Sequence, residues 1–206
     1  MARLPTERPP AKPTFASGRA RQAKIIRVMR NLTAQHGEES VRMQDVAKEA
    51  DVALNTLYRY FPSKSHLLVA ILEEELETLA ETAPQFTEKP AKDDEEATQR
   101  ILSFLAPAAE SMFSRPLLAR AMMSAAAESK TSAGEPITIS YKNLEDALLA
   151  ALAIANPTAQ DRRMMFAISL TWSSAISAVL NGRIDREEYQ EVLALTVRQL
   201  LKVRSV

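Results

Sequence analysis

Apolar positions along this chain recur every three to four residues, and no stretch alternates in steps of two. Ile25, Ile26, Met29, Leu32 and Thr33 form one stripe, closed by Gly37. Ile168, Trp172, Ala175, Ile176 and Val179 form another, closed by Gly182. Such spacing lines one face of a helix, whereas a half-buried strand shows period-two alternation. A glycine just past the last apolar position supplies the left-handed residue on which many helices end. The pattern predicts an all-α fold of about nine helices, near residues 18–36, 43–50, 54–61, 64–82, 93–113, 116–129, 138–155, 158–181 and 185–203. The three short helices stand at the front, with the longer ones behind.

Prolines refine the boundaries. Ser114–Arg115–Pro116 and Asn156–Pro157 read as helix starts, a cap followed by proline in the first turn. Pro107, inside ILSFLAPAAESMF, is expected to kink or break its helix. Residues 1–17 carry Pro5, Pro9, Pro10 and Pro13 with Arg3, Arg8 and Lys12, and have too little apolar surface to fold alone. The expected organisation is a flexible basic arm (1–17), a head of three helices (18–66) and a helical body (67–206).

Composition narrows the class. With 46% apolar and 25% charged residues the chain reads as globular, and without cysteine it has neither disulfides nor thiolate metal sites. The longest apolar run, Ala147 to Ala155, is short for a bilayer, and the N-terminus lacks a secretory pattern, so a cytoplasmic protein without a membrane partner is expected. The net charge of zero hides an asymmetry: residues 1–66 hold 12 Lys/Arg against 6 Asp/Glu, and the remainder holds the reverse imbalance. A basic front on an acidic body suits a polyanion at one end.

No catalytic constellation emerges. His36 ends the first helix and His66 begins the fourth, neither with a partner at ligand spacing. Glu73–Glu74–Glu75 and Asp93–Glu96 read as solvated helix faces, and no glycine-rich phosphate loop is present. No enzyme activity, cofactor or metal is expected.

Residues 43–62, MQDVAKEADVALNTLYRYFP, carry the chemistry. Val46, Ala47 and Ala50 line one short helix, Asp51 and Val52 turn the chain, and Leu54, Leu57 and Phe61 line the next. This is a helix-turn-helix arrangement, whose second helix enters the DNA major groove. At about 100° per residue the three apolar side chains point inward, while Asn55, Thr56 and Arg59 point away from them. Tyr58 and Tyr60 fall on the flanks, where half-packed rings would leave their hydroxyls outward. Outward amide, hydroxyl and guanidinium groups match base edges and phosphates. Pro62 ends this helix, Ser63 caps the next, and Lys64 in its first turn is expected near the phosphates.

The phrase QDVAKEADVALNTLYRYFPSKSHLL resembles the N-terminal module of the TetR family of bacterial one-component repressors. The likeness covers roughly residues 19–70, with TLYRYFPSK as its core. It implies an all-α homodimer that binds a palindromic double-stranded DNA operator and a small-molecule effector. By position, Thr56, Tyr58, Tyr60 and Lys64 match backbone-contacting residues; Gln44 and Asn55 fall where base or groove contacts are made, with Arg42 and Met43 beside them. Two departures stand out. Asp51 occupies a usual glycine position, implying strain in the turn. Asn55 replaces a small residue, and either reads adenine or caps the helix. Arg3, Arg8, Lys12, Arg19, Arg21 and Lys24 either extend the DNA contact or form a solvated leader.

In the body, Met112, Phe113, Met122, Met123, Met165, Phe166 and Trp172 supply large, adaptable surfaces, and under the resemblance they are the candidates for a ligand cavity. The last two helices are expected to form the dimer interface. A fainter resemblance, TLYRYFPSKSHLL with Trp172 and Asn181–Gly182–Arg183, points to actinobacterial repressors of sterol and lipid catabolism, whose effectors are large acyl-CoA or sterol-derived molecules. The functional expectation is a repressor released by an apolar or acyl-type effector. The alternative is an activator, or an effector-independent DNA-binding protein, of the same fold.

Overall fold

A computed structural model describes residues 16–82, 89–128 and 134–204. Within them the chain runs through α1 (Ala16–His36), α2 (Met43–Glu49), α3 (Leu54–Tyr60), α4 (Lys64–Thr82), α5 (Asp94–Ser114), α6 (Pro116–Glu128), α7 (Gly134–Ala151), α8 (Ala159–Leu180) and α9 (Arg186–Arg204). No strand occurs among the described residues. The arm expected at 1–17 lies almost wholly outside them, and α1 begins at Ala16, slightly before the expected start.

Local chemistry accounts for most ends. Gly37 closes α1 at φ 76°, its N–H donating to the Thr33 carbonyl at 3.0 Å, and Gly182 closes α8 at φ 68°. Asp93 caps α5 by accepting from the Glu96 N–H at 2.8 Å, while Glu96 accepts in return from the Lys92 N–H at 3.0 Å. Asp93 and Glu96 therefore organise a helix start rather than a merely solvated face. The hydrogen bonds from Lys92 and Arg100 hold the Glu96 carboxyl below the usual range.

Three boundary expectations are corrected. Thr158, not Asn156, caps α8: its hydroxyl accepts from the Asp161 N–H while the Asp161 carboxylate accepts from the Thr158 N–H at 2.8 Å, a reciprocal capping box. The seventh helix starts at Gly134 and ends at Ala151, where Ala153 takes φ 54°. Its end was hard to see because alanine fills a left-handed position that usually selects glycine. Pro107 does not break α5, which is continuous through it. Pro107 and Ser103, the residue four positions earlier whose carbonyl loses its donor, are both exposed, so water can take up the freed acceptor.

One cluster of buried side chains runs from Ile25 of α1 to Leu201 of α9. Helix α4 sits at its centre, packing against α1 on the head side and against α5, α6 and α7 in the body. Helix α8 is long and apolar enough in composition to cross a bilayer, a test that the core helix of a globular fold also passes. Here Met164, Met165, Ile168, Trp172 and Ile176 commit its apolar face to the core.

Candidate nucleic-acid interface and ligand cavity

In the head, α2 and α3 cross where Ala47 is buried and small enough for close approach. The turn between them runs through Asp51 at φ 55°, and the Val52 N–H reaches back to the Ala47 carbonyl at 2.9 Å. The aspartate thus takes the left-handed conformation expected of it, at a steric cost that glycine would avoid.

Recognition-helix candidates divide by burial. Arg42, Gln44, Asn55 and Arg59 are exposed, Thr56 is half-buried, and Tyr58 is 43% exposed. Ala53 holds the cap position of α3, so Asn55 is not its cap and leaves its amide outside. Two residues depart from expectation. Met43 belongs to the core, because the first turn of α2 rotates it toward Val46 and Ala47. Tyr60 is buried as well, at 5% exposure: α3 has only about two turns, and Leu57 and Tyr60 on one side and Phe61 just past its end close the head. The Arg59 guanidinium lies over the Tyr60 ring at 5.5 Å and is held along the outer surface.

Lys64 also differs from a free phosphate ligand. Its Nζ donates to the Glu38 carbonyl at 2.7 Å, tying the start of α4 to the α1–α2 turn. Beside it, Ser63 Oγ accepts from the His66 N–H and lies 2.8 Å from His66 Nδ1, capping α4 as expected.

Glu74 and Glu75 of α4 are not merely a solvated face. Arg30 of α1 reaches Glu74 at 2.7 Å and Glu75 at 3.4 Å. Arg115, at the α5–α6 corner, grips both oxygens of Glu75 at 3.2 and 2.9 Å and also bonds the Ser111 hydroxyl. Glu75 therefore joins head, linking helix and body through two arginines. Sequence reasoning missed this because the partners are 40 or more positions apart.

Deeper in the body lies a partly open cavity of about 300 Å³, at the lower end of the range for small-molecule sites. Helix α4 contributes Val69, Leu72 and Leu76; α6 and α7 add Met123 and Leu144; α8 adds Trp172 with Ser173, Ser174 and Ser177. Of the seven residues expected to line a pocket, Met112, Met123 and Trp172 border this one. The other four do not. Met122 and Met165 are buried in the bundle. Phe113 meets Tyr189 edge-on at 5.3 Å under the Arg186 guanidinium. Phe166 is 43% exposed on the outer side of α8. The serines and the α4 residues were missed; three serines in TWSSAIS, amid an apolar helix, were the available signal.

The Tyr189 hydroxyl and Trp172 Nε1 face one another deep in the body, yet neither closes a hydrogen bond of ordinary geometry. Burial is the main reason the Tyr189 phenol is pushed up to about 12.

Comparison with known proteins agrees with this layout. A family model described as "Bacterial regulatory proteins, tetR family" matches residues 25–71, and one described as "Tetracyclin repressor-like, C-terminal domain" matches residues 95–200. The HTH-type transcriptional repressor KstR of Rhodococcus jostii is 34% identical over 181 residues, covering 88% of this chain and 82% of that protein. The crystal structure of a TetR transcriptional regulator from Rhodococcus sp. RHA1 superposes with a TM-score of 0.80 at 26% identity, covering 90% of this chain and 97% of that one. Thermus thermophilus FadR, a TetR-family repressor crystallised with lauroyl-CoA, shares the fold at a TM-score of 0.68 and 17% identity, covering 87% and 93%. With matches over both its head and its body, the chain belongs to the TetR family of DNA-binding transcriptional regulators, and not to a family of enzymes.

Proposed function

We propose that this regulator is a repressor that grips a palindromic operator as a homodimer and is released by a small apolar or acyl-type effector. The observation that carries this reading is the path of α4. Its first residue is tied to the head through Glu38, and its middle and later turns, at Val69, Leu72 and Leu76, wall the cavity. A ligand that prefers one tilt of α4 must shift the head with it, by its differential affinity for the two tilts and no more. Residues 18–66 act as the DNA-contacting head, with Asn55, Tyr58 and Arg59 presented outward and Gln44 beside them. Residues 67–206 act as the sensing and dimerising body. The lauroyl-CoA held by Thermus FadR offers a precedent in this fold for an acyl effector.

The dimer reading is supported by Phe166 and Leu170 on α8 and Val192 and Leu195 on α9, all exposed and apolar on the two helices that pack as a pair. Two heads related by a twofold axis would meet half-sites about one helical turn or somewhat more apart. The protein then works in the cytoplasm, where its operator lies. Footprinting on the promoter region of its own gene, with and without lauroyl-CoA, tests the proposal. Protection of a palindrome is expected, with lower affinity when an effector is bound and reciprocally weaker effector binding to the DNA complex. Absence of any protected palindrome refutes it.

A further inference from the structure

The described chain does not close its own cavity. Among the described lining residues Ala127 and Ser174 are exposed and Ala126 and Ser177 half-buried, so the opening lies between the end of α6 and the later half of α8. A small-molecule site buries most of its ligand, and this mouth would leave part of an apolar occupant in water.

The mouth borders a face that suits a second copy of the chain. On α8, Arg163, Phe166, Leu170, Ser173 and Ser177 follow in steps of three and four and so share one side, with Ser174 at its edge. On α9, Glu188, Val192, Leu195, Gln199 and Lys202 do the same. The two helices are joined by residues 181–185 and pack side by side, so they run antiparallel. Arg163 and Lys202 therefore lie at one end of the face and Glu188 at the other, with exposed Phe166, Leu170, Val192 and Leu195 between them. The three charged side chains are exposed and have no partner among the described residues. A twofold interface sets one patch against itself. With the axis across the helices, the basic end of one copy meets the acidic end of the other, whereas copies running parallel would oppose like charges.

Arg163 and Ser177 stand seven positions either side of Leu170, as Glu188 and Lys202 do about Leu195. An axis near these leucines brings Lys202 against Glu188 of the partner subunit, and Arg163 of the partner subunit over Ser177 at the mouth. We propose that the second copy completes the cavity, its α8 lying across the opening, so that occupancy and assembly are linked. This rests on the homodimer reading above and makes the partner part of the binding site.

The chain has no cysteine, so Ser174→Cys places a single thiol at the mouth. In this background a maleimide should react at least tenfold more slowly with the dimer than with protein diluted until sedimentation shows monomer. Lys202→Glu, on the surface and outside the lining, should raise the dimer dissociation constant at least tenfold and expose the thiol. Adding Glu188→Lys should restore both. Trp172 is the only tryptophan and stands in the cavity wall, so its emission follows 1-decanol, which should bind the charge-swapped dimer at least fivefold tighter than the Lys202→Glu monomer. Equal labelling of dimer and monomer, equal decanol affinity, no emission response from the dimer, or failure of Glu188→Lys to rescue Lys202→Glu would overturn the proposal. If Lys202→Glu does not fold, the dilution series decides alone. A dimer whose thiol stays fully reactive sinks this inference and spares the homodimeric repressor. A protected thiol in a dimer that protects no palindrome does the reverse, and a monomer at every concentration overturns both.

Discussion

Replacing Glu75 by glutamine removes one charge and keeps the volume, and the structure sets the size of the effect. Glu75 receives Arg30 at 3.4 Å and Arg115 at 2.9 Å, with side-chain exposures of 21% for the glutamate, 26% for Arg30 and 31% for Arg115. Fully exposed pairs contribute about 0.2–1 kcal/mol, and desolvated ones more. Three partly shielded side chains and a two-pronged Arg115 grip place the total near the upper end, about 1–2 kcal/mol. Some is retained, because Arg30 keeps Glu74 at 2.7 Å and Arg115 keeps Ser111. Urea unfolding at fixed protein concentration should show this loss as a lower midpoint with an unchanged slope. A double-mutant cycle of Glu75→Gln with Arg115→Gln should return a coupling near 1 kcal/mol that shrinks as salt rises from about 0.05 to 0.5 M. Because the network crosses from α1 to the α5–α6 corner, amide protection in α1 should fall more than in α9. A coupling under about 0.2 kcal/mol, or one indifferent to salt, would mean that these arginines and Glu75 merely lie close together.

Three other expectations follow from named side chains. Gln44→Ala should cost about 1–3 kcal/mol of affinity mainly on the correct operator, whereas Arg59→Ala should weaken binding to every duplex and reduce its salt slope, both measured by fluorescence anisotropy. If the proposed dimer forms through α8 and α9, Leu170→Asp, at a position 41% exposed on α8, should leave a folded monomer in sedimentation, and an unaltered oligomeric state would place any interface elsewhere. Tyr189 has its folded-state pKa raised from 10.0 to about 12, so the neutral phenol favours the fold. That contribution is complete below the unfolded pKa and is lost as pH climbs from about 10 through 12. Tyr189→Phe should flatten this alkaline decline and, since the hydroxyl is buried without a partner, leave stability at neutral pH equal or slightly higher.

How much could be read from the chain alone varies with the range of the physics involved. Helix number, most boundaries and the turn at Asp51 are local matters, written in three-to-four spacing, in glycines past apolar stripes and in the TLYRYFPSK phrase. Even there, competition between neighbouring groups went undetected: Thr158 displaced Asn156 as a cap because Asp161 lies three residues on and completes the box. Pro107 was tolerated because the broken ladder faced water.

Which face of a short helix is buried was only partly legible. Leu54 and Leu57 of α3, with Phe61 just past its end, set the inner side, but whether Tyr60 flanked that side or joined it depended on how α2, α3 and the start of α4 close around it. The same holds for Met43. Methionine and phenylalanine satisfy a core, a cavity wall and a dimer face equally well, so only packing assigned Met165 to the interior, Met123 to the cavity and Phe166 to the outer surface. The Arg30–Glu75–Arg115 bridge is likewise a product of tertiary structure. Charges separated by 40 or more positions leave no periodic trace in a sequence, and their meeting is decided by where α4 lies between head and body.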